Sequence, residues 1–194
     1  RVRSSAASDV YKRQLVDSYL MTNGLPIYAS EGAYQGDKTL ESTMENRDLR
    51  LVTSVAKPGD KIMTLNGKDI MYQYPGLIAA SGIRVTSTGY IPRKGWADNE
   101  VTYNSAYPLA LPIFRAAEAY LNYIEAYYLK NNSLEDATLD KYWKALRSRA
   151  GVDTDYKKTI AATDLSKEID LARYSGTQLV DATLYNIRRE RRSE

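Results

Sequence analysis

The sequence predicts a mainly α fold carrying a small β/loop-rich region. Three observations lead there. From position 112 the apolar residues recur at helical spacing, as Ile113, Ala117, Tyr120, Leu121, Ile124 and Tyr128. A second helical stretch follows after a short break at Asn131-Asn132, which makes an αα-hairpin. Upstream, residues 72–107 are punctuated by Pro75-Gly76, Gly82, Gly89, Pro92 and Gly95, which leaves room only for short strands and loops.

The elements follow in order. Leu49, Leu51, Thr53 and Val55 alternate and predict a strand over 49–55. Ile62 to Leu65 predicts a second, short strand, closed by the strong turn signal Asn66-Gly67. Residues 88–96 have room for one more. Pro112 suits a first helical turn, where its missing N–H costs nothing. The second helix is predicted over 139–150, with Trp143, Leu146 and Ala150 inward and Gly151 as a left-handed cap. Residues 153–173 read as a polar spacer. A last helix is predicted over about 178–192, with Leu179, Val180, Leu184 and Ile187 as its stripe and its arginines mainly off it. No later segment covers that stripe, so the chain alone is expected to be poorly stable.

Residues 1–14 are set aside from the fold. Ser4 to Gln14, SSAASDVYKRQ, resembles the translation of a sequencing-library adaptor, and the natural sequence is expected to begin near Leu15. The chain holds 27 basic and 24 acidic residues. Arg1, Arg3, Lys12 and Arg13 against Asp9 account for the whole excess, leaving 23 of each. The basic balance is therefore no argument for nucleic acid. Residues 15–194 make one partial domain, with 15–111 loop- and strand-rich and 112–194 helical.

With no Cys and no His, the chain has no thiolate nucleophile, no Ser-His-Asp triad and no His-ligated zinc. Nothing in the sequence points to a cofactor or a metal. No run approaches the length of a membrane-spanning helix. The aromatic set is 17 Tyr, 2 Trp and 1 Phe. Tyr and Trp join an apolar body to a polar tip, which suits wet binding surfaces and equally suits helix interfaces with the hydroxyl turned outward.

Three constellations invite function. Glu118 and Glu125 lie seven apart on one helix face, about 10.5 Å along the axis, within reach of the carboxylate spacing of an inverting glycosidase. The alternative is an ion-pair network with Arg115, Arg147 and Arg149. The run RRERRSE at 188–194 is broken by Glu190 and reads as a solvated face rather than a nucleic-acid surface. Tyr72, Tyr74, Tyr90 and Trp96, with Asn99 among the nearby polar groups, lie in the loop-rich region. There, ring faces can stack on pyranose C–H faces while polar neighbours bond the hydroxyls. These five residues are the candidate ligand contacts, with Trp96 foremost. The competing reading makes the rings buried plugs.

Five blocks, in order, resemble the SusD/RagB family. ENRDLRL at 45–51 is similar to its Asn-Arg-Asp-Pro-Arg block, with Leu49 where Pro is usual. TGYIPRK at 88–94 is similar to its Gly-Tyr…Arg-Lys strand. FRAAEAYLNYIEA at 114–126 resembles its Arg-x-Ala-Glu…Leu-Asn-x-Ala-Glu-Ala helix, and ALRSRAGV at 145–152 its Arg-x-Arg-Ala-Gly helix end. IRRERRSE at 187–194 resembles its Glu-Arg-Arg block.

The resemblance implies a SusD-like α fold whose tetratricopeptide-containing half is missing, so the chain is expected to be an internal fragment. It implies a non-catalytic, surface-exposed lipoprotein of the outer membrane, anchored by an N-terminal lipid upstream of Leu15. Such a protein binds oligosaccharide or another nutrient and passes it to a SusC-like, TonB-dependent transporter. It transfers no ligand residue by motif. A glycoside hydrolase using Glu118 or Glu125, and a helical scaffold that binds only protein, are the alternatives.

Overall fold

The computed structural model describes residues 13–73, 89–93, 113–168 and 171–194. Among them the order is α1 (Arg13–Ser18), a 3-10 turn (Ile27–Ala29), α2 (Leu40–Met44), α3 (Leu49–Ser54), β1 (Lys61–Leu65), β2 (Lys68–Met71), α4 (Ala116–Asn131), α5 (Ala137–Arg149), α6 (Tyr156–Ala162), a second 3-10 turn (Leu171–Arg173), β3 (Tyr174–Ser175), β4 (Gln178–Leu179) and α7 (Ala182–Ser193). The fold is mainly α, with two two-stranded hairpins among the described residues. The chain divides into two compact units, one of residues 1–16 and 52–111, the other of residues 17–51 and 112–194. Residues 17–51 thus group with the helices, not with the strand-rich stretch that adjoins them in sequence.

The helical unit is built on α4. Ala117, Leu121 and Ile124 form its buried stripe and meet Leu139, Trp143 and Leu146 of α5, Tyr156 of α6 and Ile187 of α7 in one core cluster. Trp143 stacks flat on Tyr156, centroids 4.3 Å apart and 3° from parallel. The helix begins at Ala116, so Ile113 and Phe114 precede it and are 85% and 82% exposed. It ends as expected: Asn132 adopts the left-handed conformation. Each later helix opens on an aspartate whose carboxylate accepts backbone N–H groups left over by the first turn. Asp136 takes Leu139 N–H at 2.7 Å, Asp155 takes Lys158 N–H at 3.0 Å, and Asp181 takes Thr183 and Leu184 N–H at 2.8 and 2.9 Å.

Several tyrosines line the α4–α5 seam. Tyr120 stacks on Tyr142 at 4.3 Å, and Tyr123 meets Tyr142 edge-on at 5.6 Å. The hydroxyls of Tyr123 and Tyr127 reach Asp136 and the Glu135 carbonyl in the connection between the helices. Tyr123 and Tyr127 thus pack with the ring and hydrogen-bond with the hydroxyl.

Residues 17–51 join this unit through backbone bonds. Leu49 N–H donates to the Ala150 carbonyl at 3.0 Å, Asp153 N–H to Thr22 at 2.8 Å, and the Thr159 hydroxyl to the Gly24 carbonyl at 2.5 Å. Gly151, at φ +64°, caps α5, and a Cβ there would stand 2.9 Å from Leu49 Cδ1. The left-handed φ is what favours glycine there, since the Leu49 side chain could shift.

In the other unit, β1 and β2 pair antiparallel with Leu65 opposite Lys68 across Asn66-Gly67. Both turn residues have positive φ, 49° and 74°, as a two-residue hairpin demands. Residues 54–56 take backbone bonds from 91–93: Ala56 N–H to Ile91 at 2.9 Å and Arg93 N–H to Ser54 at 2.7 Å. Ala56, Tyr72 and Ile91 form a small core with Ile62 against it.

Four expectations are corrected. Residues 49–54 form a helix, not a strand. The buried positions are Leu51, Ser54 and Val55, a helical spacing, while Leu49 is half-exposed. The polar spacer contains α6, which Asp155 caps and which buries Tyr156 and Thr159. The last helix starts at Ala182, because residues 178–179 pair with 174–175 instead. Its stripe is also covered: Val180, Leu184 and Ile187 are buried and only Leu179 lies open.

The Trp143–Tyr156 stack should dominate the stability of the helical unit. Trp143→Ala is expected to cost about 3–5 kcal/mol in urea unfolding. Leu129→Ala, on the open face of α4, should stay within about 0.5 kcal/mol.

Candidate functional site

Of the five residues expected to contact a ligand, Tyr72 and Tyr90 lie among the described residues. They are 3% and 6% exposed, and Tyr72 packs in the small core with Ala56 and Ile91. Both rings stand as core residues here and offer no open stacking face. Trp96, Tyr74 and Asn99 lie outside the described residues, as do positions 88 and 94–96 of the expected strand. Around position 92 the described backbone makes an isolated bridge, Val55 to Pro92.

The blocks at 45–51, 145–152 and 187–194 do come together. They converge on the carboxylate of Glu190, which is 2% exposed. Its Oε1 accepts from Arg147 Nε at 2.7 Å and from Trp143 Nε1 at 3.4 Å. Its Oε2 accepts from Arg50 Nη2 at 2.9 Å. Arg50 is itself gripped by Asp48, Nη2 to Oδ2 at 2.6 Å and Nε to Oδ1 at 3.0 Å, and Asp48 Oδ1 also caps Arg50 N–H at 2.8 Å. Arg50 Nη1 reaches Glu194 Oε1 at 2.9 Å, and Arg149 also pairs with Glu194. Arg147 Nη1 continues to the Asp153 carbonyl at 3.1 Å and the Thr159 hydroxyl at 2.8 Å. Arg47, also buried, donates to the Tyr19 carbonyl at 2.9 Å and the Thr43 carbonyl at 3.2 Å.

The electrostatics follow from this packing. Burial alone would raise Glu190, yet the Arg50 and Arg147 guanidiniums carry it below its ordinary range. Burial pulls Arg50 down, and Glu190 and Asp48 more than offset it, so Arg50 is held above its ordinary value. Asp48 goes the other way: burial raises it, and Arg50 only partly restores it.

A second buried carboxylate anchors the far side of α7. Glu168 accepts from the hydroxyls of Tyr28 and Tyr185, each at 2.8 Å, and pairs with Arg189. Arg189 lies over the Tyr185 ring at 4.8 Å. Burial pushes the Tyr28 hydroxyl up to about 12.

Two sequence readings are corrected here. Arg189 faces inward, not away from the apolar stripe, because Glu168 and Tyr185 supply its buried partners. Glu118 is exposed, and the arginines expected to pair with it or with Glu125 bond elsewhere: Arg147 to Glu190, and Arg115 and Arg149 to Glu194. Glu125 pairs instead with Arg191 at 2.9 Å and Arg188 at 3.9 Å. Sequence reasoning missed Glu190 as the hub. The available signal was its place inside RRERRSE, where one carboxylate among four arginines would be the natural centre of a buried network.

These residues define a helical scaffold clasped from within by paired charges. The chain belongs to the SusD family, whose model matches residues 2–194. No curated protein and no solved structure matches it. Family membership suggests a glycan-binding component of nutrient uptake.

Glu190→Gln leaves the buried Arg147 without its paired carboxylate and strips Arg50 of one of its three, and should destabilise by about 3–5 kcal/mol. The pH dependence has a definite sign. Glu190 is lowered by folding, so its contribution is present above its unfolded value and is lost as pH falls through the folded one. Asp48 is raised by folding, so its contribution is present at acid pH and is lost as pH rises through its folded value. Urea midpoints between neutral and acid pH should therefore fall less steeply for Glu190→Gln than for the parent, and more steeply for Asp48→Asn.

Proposed function

We propose that this chain is part of a surface-exposed outer-membrane lipoprotein that binds oligosaccharide and passes it, without catalysis, to a SusC-like TonB-dependent transporter. The observation that carries the proposal is the family match over residues 2–194. The disposition of charge supports it. Glu125, half of the suspected glycosidase pair, is engaged by Arg191 and Arg188, and Glu118 lies exposed on α4. An inverting hydrolase needs one carboxyl raised and protonated with a second free to activate water, and the engaged Glu125 fits neither role. The apolar and ionic cores of the helical unit fit a rigid support for loops that carry recognition.

Ligand contact is assigned to residues 72–107 beyond the buried Tyr72 and Tyr90, with Trp96 as principal contact and Tyr74 and Asn99 beside it. Trp presents the largest stacking face, and it sits between Gly95 and Asp98-Asn99, where a turn can hold the ring beside polar partners.

Trp96→Ala in the full-length protein tests the assignment. A site role weakens glycan binding in affinity gels with an unchanged melting curve. A core role destabilises by about 3–5 kcal/mol, and any binding loss then follows unfolding. Parent protein that is retarded by no glycan would count against the binding reading itself.

A further inference from the structure

The chain contains two Asn-Gly steps, Asn23-Gly24 and Asn66-Gly67. Each is open in principle to one intramolecular reaction, because glycine carries no Cβ to shield its backbone nitrogen from the preceding side-chain amide. In sequence the two are equivalent. The structure makes them very different.

At Asn23 both reacting groups are held. The side-chain Oδ1 accepts from Leu25 N–H at 3.0 Å and from the Ser30 hydroxyl at 3.3 Å. The nucleophile-to-be, Gly24 N–H, donates to the Met21 carbonyl at 2.9 Å. Gly24 is buried, its carbonyl bonded to Thr159, and a Cβ on it would lie 3.1 Å from Asp153 Cβ. Bringing the Asn23 amide carbon onto that nitrogen would break three hydrogen bonds inside a packed turn.

At Asn66 nothing is held. Both residues of the step are exposed at the tip of the β1–β2 hairpin. Among the described residues, neither the Asn66 amide nor the Gly67 N–H has a hydrogen-bond partner, and nothing lies within 4 Å of the Gly67 Cβ position. Only the two-residue turn restrains the pair, and such tips are the most mobile and solvent-accessible parts of a fold.

We infer that Asn66 is a spontaneous deamidation site of this protein and that Asn23, the same dipeptide, is protected by its fold. The chemistry needs only water. The Gly67 nitrogen gives its proton to solvent base and attacks Asn66 Cγ. The new N–Cγ bond closes a succinimide ring, the Cγ–amide nitrogen bond breaks, and ammonia leaves with a proton from solvent. Water then adds at one of the two ring carbonyls, that carbon's bond to the ring nitrogen breaks and the nitrogen takes a proton, giving aspartate or isoaspartate with no change of oxidation state. The isoaspartate product inserts an extra carbon into a turn whose two positive φ values set the hairpin register. The modification therefore alters the hairpin and adds a negative charge at its tip.

The test is peptide mapping by mass spectrometry, with isoaspartate-specific methyl transfer, after the whole chain has stood in mildly alkaline buffer. The acid product should accumulate several-fold faster in the peptide holding residue 66 than in the one holding residue 23. Equal rates, or a faster reaction at 23, overturn the inference. A parallel incubation in denaturant should bring the two rates together. A difference that survives unfolding would mean that neighbouring sequence sets it, and this too overturns the inference. Asn66→Ser, which has no side-chain carbonyl to close the ring, should abolish the signal at residue 66 in both conditions and leave that at 23 unchanged.

Discussion

The Glu190 carboxylate is the point on which the helical unit turns. One buried anion faces two buried guanidiniums and an indole N–H, supplied by three stretches far apart in sequence. Every member raises the cost of losing another. Without Glu190, Arg147 would be a cation out of water, and without Arg50, Asp48 would be a buried carboxylate already raised by desolvation. Such a network adds little by the mere count of ion pairs, because desolvation takes back much of the Coulomb attraction. What it imposes is geometry: residues 48–50, α5 and α7 satisfy their buried charges only in this one arrangement.

The rest of the unit follows from that clasp. Arg147 extends it to Thr159 and Asp153, and Thr159 in turn holds the Gly24 carbonyl. Residues 17–51 are thereby tied to helices more than a hundred positions downstream. Glu168 performs the matching task beyond α7, collecting Tyr28, Tyr185 and Arg189. The apolar core supplies bulk stabilisation through Trp143 and its neighbours, and the polar network adds specificity of docking.

Much of the helical unit was legible. The stripe on α4 from Ala117 onward, the end at Asn131-Asn132, the inward Trp143 and the glycine cap were all set by local periodicity and backbone chemistry, whereas Ile113, expected in the stripe, precedes the helix and is exposed. The hairpin at Asn66-Gly67 was equally local. The misreadings have one physical origin, the weight of contacts distant in sequence. Leu49 to Val55 alternates, but Asp48 caps the segment and Leu51 is its only fully buried large side chain, so helix prevails. The polar stretch after 153 hid α6, because a short helix needs only Tyr156 and Thr159 buried to be held. The arginines of α7 read as solvated because buried charge is invisible until its partners are placed. The candidate site was the least legible part. Aromatic-rich loops announce binding or burial equally well, and Tyr72 and Tyr90 went to burial.

The central claim is that Glu190 and Arg147 act as one unit. A double-mutant cycle tests it directly, using Glu190→Gln, Arg147→Met and the pair, each unfolded in urea at neutral pH. Strong non-additivity is expected, with the double variant less damaged than the single effects summed, by an interaction of about 1–3 kcal/mol. Additive effects, within about 0.5 kcal/mol, would contradict it and would reduce the clasp to independent buried charges.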